Sequence, residues 1–349
     1  MSKRSQLLES IAETITDYRE GEVDKPTPEH VDTWVNQFDR EVQKPILAEL
    51  DHALKRTYFS RENVKDFLAA LVKNKKLAGD DPCSFWEDVE FLRIQGGGNS
   101  QREILAMFDG ILEDECELKT EDCGDSPTAY LYLDDAIFTG NRVRTDLGSW
   151  IDSNAPAEAK VHVVTIALHR GGQYYASTKI KDSARAAGKK IDVSWWRCIE
   201  IEDRKRYVDS SDVLRPTNIP DDAGVQAYAA SLKYAPVLRT PGNVGGNDIF
   251  SSEEGRHLLE QEFLKAGARI RSMCPNLNVY QRPLGNMVLE TLGFGSLLVT
   301  FRNCPNNCPL AFWVGDPWYP LFPRSTNSDA FMKRLLESFR PKMAGKEKT

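Results

Sequence analysis

Apolar positions recur at helical spacing through the first part of the chain. Leu7, Leu8, Ile11, Ile15 and Tyr18 fall on one face of a helix over 5–19. Pro28 stands where a proline can open a helix, ahead of Val31, Trp34, Val35 and Phe38. Val64, Phe67, Leu68, Leu71 and Val72 mark another amphipathic helix over 60–73. From about residue 88 the pattern changes. Residues 89–95 read as a strand that breaks into Gly96-Gly97-Gly98-Asn99-Ser100, and a helix follows over 102–112. Residues 129–133 are a short apolar strand ended by Asp134-Asp135, then a Thr139-Gly140 turn and a helix to about 152. A strand at 161–169, a helix at 174–188 and a strand at 191–198 complete the rhythm. Such alternation predicts an α/β fold, with a mainly parallel sheet flanked by helices. Residues 203–250 are rich in Pro, Gly, Asp and Asn and read as loop, interrupted by a helix at 221–234. A long amphipathic helix is expected over 251–273, and a late pair of strands over 296–302 and 310–314.

Composition narrows the class. Hydrophobic residues are 41% and charged residues 28%, as in soluble globular chains. Lys and Arg total 45 against 52 for Asp and Glu, a net charge of −7. That balance makes nucleic acid an unlikely direct ligand. No apolar stretch approaches the ~18 residues of a membrane span, and the start lacks the apolar core of a secretory signal. Seven cysteines, an odd number in a long chain that is not loop-dense, argue against a disulfide scaffold and suit a reducing cytoplasm.

The strongest chemical signal is Tyr130-Leu131-Tyr132-Leu133-Asp134-Asp135-Ala136-Ile137-Phe138-Thr139-Gly140-Asn141-Arg142-Val143. Two carboxylates emerge at the carboxyl end of an apolar strand, where open α/β sheets place their ligands. The backbone N–H groups of the following turn converge on an anion, and the helix N-terminus adds positive potential. Two acids beside a phosphate cradle suit a sugar phosphate. The acids can accept from ribose hydroxyls or support Mg²⁺ through water.

This stretch resembles the 5-phosphoribosyl-1-diphosphate (PRPP) motif of type I phosphoribosyltransferases, in which a hydroxyl residue usually stands where this chain has Arg142. The resemblance implies that Asp134 and Asp135 carry the catalytic ribose contacts. It implies that Thr139, Gly140, Asn141 and Arg142 bind the 5-phosphate, and that Gly96, Gly97, Gly98, Asn99 and Ser100 bind the diphosphate. The later segment Asn303-Cys304-Pro305-Asn306-Asn307 resembles the Asn-rich turn of phosphoribosyltransferase-like proteins from bacterial conflict and antiphage-defence loci. By that resemblance Asn303, Asn306 and Asn307 are candidates for base contact, or for a rigid turn that shapes the pocket wall.

The implied architecture is a helical N-terminal region over 1–87, a phosphoribosyltransferase-like domain with a C-terminal hood over 88–340, and a flexible tail over 341–349. Two functions stay open. One is an enzyme that takes PRPP or a nucleotide with Mg²⁺ and acts at ribose C1 in antiphage defence. The other is an inactive nucleotide-sensing or scaffolding subunit working with another defence-system subunit. Cys304 and Cys308 lack the two further ligands that zinc requires, so no resident protein-ligated metal is expected. His162 and His169 are expected to be structural. Arg204 or Lys205 could reach a diphosphate if the following loop closes, but such charge runs are usually solvated faces.

Overall fold

The computed structural model describes residues 2–96, 100–289 and 291–324. The elements in chain order are α1 (Lys3–Thr14), α2 (Pro28–Val35), α3 (Arg40–Thr57), β1 (Tyr58–Phe59), α4 (Arg61–Val72), α5 (Lys75–Ala78), α6 (Pro82–Glu87), β2 (Val89–Phe91), α7 (Ser100–Cys116), β3 (Ala129–Ile137), α8 (Asn141–Ser153), β4 (Glu158–His169), α9 (Arg170–Ala186), β5 (Lys190–Ile201), α10 (Ala223–Ala230), α11 (Glu253–Met273), β6 (Gln281–Arg282), β7 (Gly285–Asn286), β8 (Val299–Thr300) and α12 (Leu310–Trp313). The chain divides into two compact units. One takes Phe59–Arg215 and Val237–Glu253; the other takes Met1–Tyr58, Pro216–Pro236 and the chain from Glu254 on. The helical stretch expected over 1–87 is thereby shared, with α4 to α6 in the sheet-bearing unit.

That unit is built on a four-stranded sheet in the order β2-β3-β4-β5, every pair parallel. The apolar runs of β3 and β4 suit strands covered on both faces. Helices α8 and α9 pack on each other. Val143, Leu147, Trp150 and Ile151 from α8 and Ala176 and Ile180 from α9 bury Tyr130, Tyr132, Val161 and Val163 in one core. Helix α7 packs on β3 and on α4. Its Phe108 sits 5.1 Å from Trp86 and 5.5 Å from Phe91, ring to ring. Buried side chains of this size stabilise by about 1.5–3 kcal/mol each. Strand β5 forms one edge. Trp195 packs against the α8–α9 core, whereas Trp196 donates its Nε1–H to His162 Nδ1 at 3.2 Å. The two tryptophans thus point to opposite faces. Because all four strands run the same way, their carboxyl ends gather at one edge of the sheet.

In the other unit, α11 is buried along most of its length, down to an Arg256–Glu260 ion pair of 2.9 Å with both side chains inaccessible. Trp34, Phe38, Phe263, Phe312 and Phe322 form an aromatic cluster. Trp34 and Trp318 both donate their indole N–H to the Ala311 carbonyl. The segment expected as a strand over 310–314 is instead the short helix α12, opened by Pro309. Five consecutive apolar residues carry no period, so sequence alone could not distinguish strand from helix there. The strand expected over 296–302 shortens to β8.

Cys83 and Cys116 form a disulfide, and the other five cysteines are free. A single crosslink therefore stands where the sequence suggested reduced thiols. Among the described residues no helix is long and apolar enough to cross a membrane.

Candidate ligand site at the carboxyl edge of the parallel sheet

Strand β3 delivers Asp134 and Asp135 to the carboxyl edge of the sheet. Asp134 is 4% exposed, and Asp135 is half-buried. Each carboxylate curls back onto the chain. Asp135 N donates to Asp134 Oδ1 at 2.9 Å, and Ala136 N donates to Asp135 Oδ1 at 2.7 Å. Across the ladder Asp134 stands beside Thr165 of β4. Thr165 is 1% exposed, and its hydroxyl has no hydrogen-bond partner among the described residues. Burying such a group unpaired costs about 1–3 kcal/mol. Thr165→Val is accordingly expected to raise stability by about 1 kcal/mol, read from urea unfolding. A clear loss of stability would mean that the hydroxyl is satisfied in solution.

The turn after β3 is held by backbone packing. Gly140 has φ +74°, and a Cβ there would lie 2.1 Å from the Gly172 carbonyl oxygen. A Cβ on Gly172 would in turn lie 2.1 Å from the Phe138 carbonyl oxygen. Only glycine at both positions lets the turn and the start of α9 approach this closely. Gly140 is also the residue that caps α8, and no side-chain hydrogen bond closes that helix end. The first-turn N–H groups of a helix are without intrahelical partners, so the turn presents amide donors and the positive end of the helix dipole together. Thr139, Asn141 and Arg142 are exposed around it. Asn141 Oδ1 accepts from Arg144 Nη2 at 3.1 Å. Arg142 lies near enough to Tyr132 and Asp146 to oppose the upward pressure of burial on both. Tyr132 donates its hydroxyl to Asp146 at 2.7 Å.

His169 supports the turn from beneath. It is wholly buried, stacks on Phe138 at 4.6 Å, and its Nδ1 lies 2.9 Å from the Ile137 carbonyl. A carbonyl can only accept, so Nδ1 carries the proton of a neutral ring. Burial pushes this imidazole down from 6.5 to about 4. Asp203, after β5, accepts from Gly171 N at 2.7 Å and so caps α9 from a distance. Burial pushes its carboxyl up from 3.8 to about 6.

The two groups act on stability with opposite signs. A depressed histidine leaves stability intact above 6.5 and removes it as pH falls toward 4, by about 3 kcal/mol at most. A raised carboxyl leaves stability intact below 3.8 and removes it as pH rises to about 6, by a similar amount. Between pH 4 and 6 they oppose each other. Removing the imidazole in His169→Gln is expected to expose the Asp203 slope, so that the variant loses stability as pH rises through this range. Denaturant melts of variant and wild type at several pH values check it, and a variant slope unchanged from wild type would refute the assignment.

The other sequence candidates are distributed as follows. Gly96 is exposed, Ser100 begins α7, and Gly97, Gly98 and Asn99 lie outside the described residues. Asn303, Asn306 and Asn307 belong to the other compact unit. There Asn303 exchanges backbone hydrogen bonds with Thr300, Asn306 is exposed, and its carbonyl accepts from Asn286 N. The Asn307 amide donates to the Asn286 carbonyl at 3.0 Å, holding the β6–β7 hairpin. His162 lies on the sheet with Nδ1 2.6 Å from Ser194 Oγ, away from the turn. Arg204 forks onto Glu202 and stacks on Tyr207 at 4.4 Å.

Sequence reasoning missed Gly172, Asp203 and Asp212. The Gly171-Gly172 pair directly after a strand was a readable signal for the first. Asp212 is 3% exposed and accepts from Glu202 N, Gly246 N, Asn247 N and the Asn247 amide, tying the irregular segment together. No group of three or more potential metal ligands occurs among the described residues.

A sequence model of the PRTase-CE family matches residues 31–324. The chain belongs to that family. The match spans both compact units and contains the acid pair, the Thr139–Arg142 turn and the Asn-rich turn. A PRTase-CE chain is a phosphoribosyltransferase-like protein, and the parallel sheet flanked by helices agrees with that fold. No curated protein and no solved structure matches the chain.

Proposed function

We propose that the protein binds PRPP or a nucleotide, with Mg²⁺, at the carboxyl edge of β3 and acts at ribose C1. The observation that carries this reading is the juxtaposition of Asp134 and Asp135 with an uncapped α8 N-terminus on a Gly140 turn. The acids accept hydrogen bonds from ribose hydroxyls, and the N–H groups of the turn and first helical turn hold the 5-phosphate. Departure of the group on C1 leaves an oxocarbenium-like sugar, so the site's task is to position the ribose and neutralise the leaving charge. Mg²⁺ usually takes one or two carboxylates and completes its shell with water and substrate phosphates. An acid pair suits that manner of binding, and the ion would supply charge neutralisation on a diphosphate. A role in antiphage defence is part of this reading, motivated by the resemblance of the Asn-rich turn.

A second reading keeps the ligand and drops turnover. Arg142, where the motif usually has a hydroxyl, supports a nucleotide-sensing subunit. Calorimetry with PRPP, AMP and ribose 5-phosphate, with and without Mg²⁺, is expected to give heat for at least one of them. No heat from a folded sample sinks the ligand assignment. Product analysis by mass spectrometry after incubation with PRPP and a panel of bases separates enzyme from sensor.

A further inference from the structure

The Gly-rich segment starts and ends on a glutamine, and the side chain of each is bonded to the backbone of the other. Gln95 N donates to Gln101 Oε1 at 3.1 Å, and Gln101 N donates to Gln95 Oε1 at 3.2 Å. Each side-chain oxygen thus takes the other residue's backbone N–H. The two side-chain nitrogens both turn to β3. Gln95 Nε2 donates to Asp134 Oδ2 at 3.2 Å, and Gln101 Nε2 reaches the Leu133 carbonyl at 3.4 Å. Gln101 is 4% exposed, so its amide is part of the interior.

The oxygen and nitrogen of a glutamine amide are nearly interchangeable in shape, and the hydrogen-bond network decides which way it points. Here both choices are forced. A backbone N–H must meet an oxygen, and a carboxylate or a carbonyl must meet an N–H. Turning over the Gln95 amide would set its oxygen against Asp134 and its NH₂ against the Gln101 N–H. An aspartate is otherwise loosely defined at its terminal torsion, which is broad and two-fold. With Asp135 N on Oδ1 and Gln95 Nε2 on Oδ2, the plane of the Asp134 carboxylate is set from both oxygens.

We infer that Gln95 is a positioning residue for Asp134, itself oriented by Gln101. The inference rests on Asp134 as a ribose-binding acid, the reading given under Proposed function. A carboxylate fixed before the ligand arrives loses less freedom on binding. The reciprocal bonds alone would suffice to close the segment. The bond from Gln95 Nε2 is the one that carries its geometry to the acid.

Gln95→Glu isolates that bond. The new side chain has the same length and still offers an oxygen to Gln101 N, but it sets an acceptor against Asp134. Ribose 5-phosphate affinity is expected to fall at least tenfold near neutral pH with little change in melting. It should recover toward wild type as pH is lowered and the new carboxyl gains a proton to donate, with wild type titrated in parallel. Unchanged affinity, or a pH-independent loss that tracks melting, would overturn the inference. A second measurement needs no ligand. In ¹H–¹⁵N spectra, Asp134→Asn is expected to shift the Gln95 side-chain NH₂ pair. If wild type binds none of PRPP, AMP and ribose 5-phosphate, the ligand reading fails and this spectrum decides on the contact alone: an unshifted Gln95 pair refutes the orienting bond to Asp134, and a shifted one upholds it.

Discussion

Gly140→Ala is expected to destabilise the sheet-bearing unit by about 2–5 kcal/mol and lower its Tm by roughly 10 °C. Two effects add. At φ +74° an L side chain costs about 1–2 kcal/mol. The new methyl would also meet Gly172 O at 2.1 Å, Gly172 C at 2.9 Å and Ala176 Cβ at 3.2 Å. Forcing atoms into a packed site typically costs about 1–3 kcal/mol. Gly188 separates the terms, since it has φ +67° with nothing within 4 Å of its would-be Cβ. Gly188→Ala should therefore show the backbone cost alone. Scanning calorimetry of both variants decides the point. Equal shifts would mean that the turn yields at little cost and that the backbone contact is not what holds it.

Asp134→Asn/Asp135→Asn is expected to abolish measurable ribose-phosphate binding while leaving the fold in place. The amides are nearly isosteric with the acids, so no cavity opens. Removing two charges from one pocket also relieves like-charge repulsion. What disappears is charge-assisted acceptance from hydroxyls, about 1.5–3 kcal/mol per bond. Affinity should fall at least tenfold for each acid and about a hundredfold for the pair. Local costs are foreseen: Asp134 Oδ1 and Asp135 Oδ1 each accept a backbone N–H, so each new amide must turn its oxygen to that side, which at 134 sets its NH₂ against Gln95 Nε2. Melting and calorimetry on one preparation read both quantities. Strong destabilisation with unchanged affinity would make the pair a structural turn. If neither quantity changed, the ligand would have to lie elsewhere.

Much of this fold was legible because its buried strands are continuous apolar runs. Residues 129–133 and 161–169 have few other ways to hide their side chains, and both lie in the central strands β3 and β4. The acids stood out as charges after an apolar run, but β3 does not end before them as expected: it runs on through Ile137, and Asp134 pairs with Thr165 inside the ladder. Helix α3 was harder to read, because Pro45 and a charged pattern interrupt its period. Helix α12 was misread because it has no polar face. The Gln95–Gln101 clasp was hidden for a different reason: its meaning lies in Leu133 and Asp134, more than thirty residues away. The order within 203–250 was hidden likewise, since Asp212 gathers donors from both ends of that segment. Local pattern reports what a residue prefers, and these residues are defined by what they meet.

The contact between Gly140 and Gly172 also bears on how such a site can change. At that contact the turn is set by main chain against main chain. Exposed Thr139, Asn141 and Arg142 can therefore be exchanged without moving the amides between them. Placement and chemistry become separate variables. A lineage could alter the charge offered to an anion, as the arginine at 142 does, while the geometry stays constant. The two glycines carry the opposite expectation. Neither should tolerate replacement alone, and each should be inherited with the other.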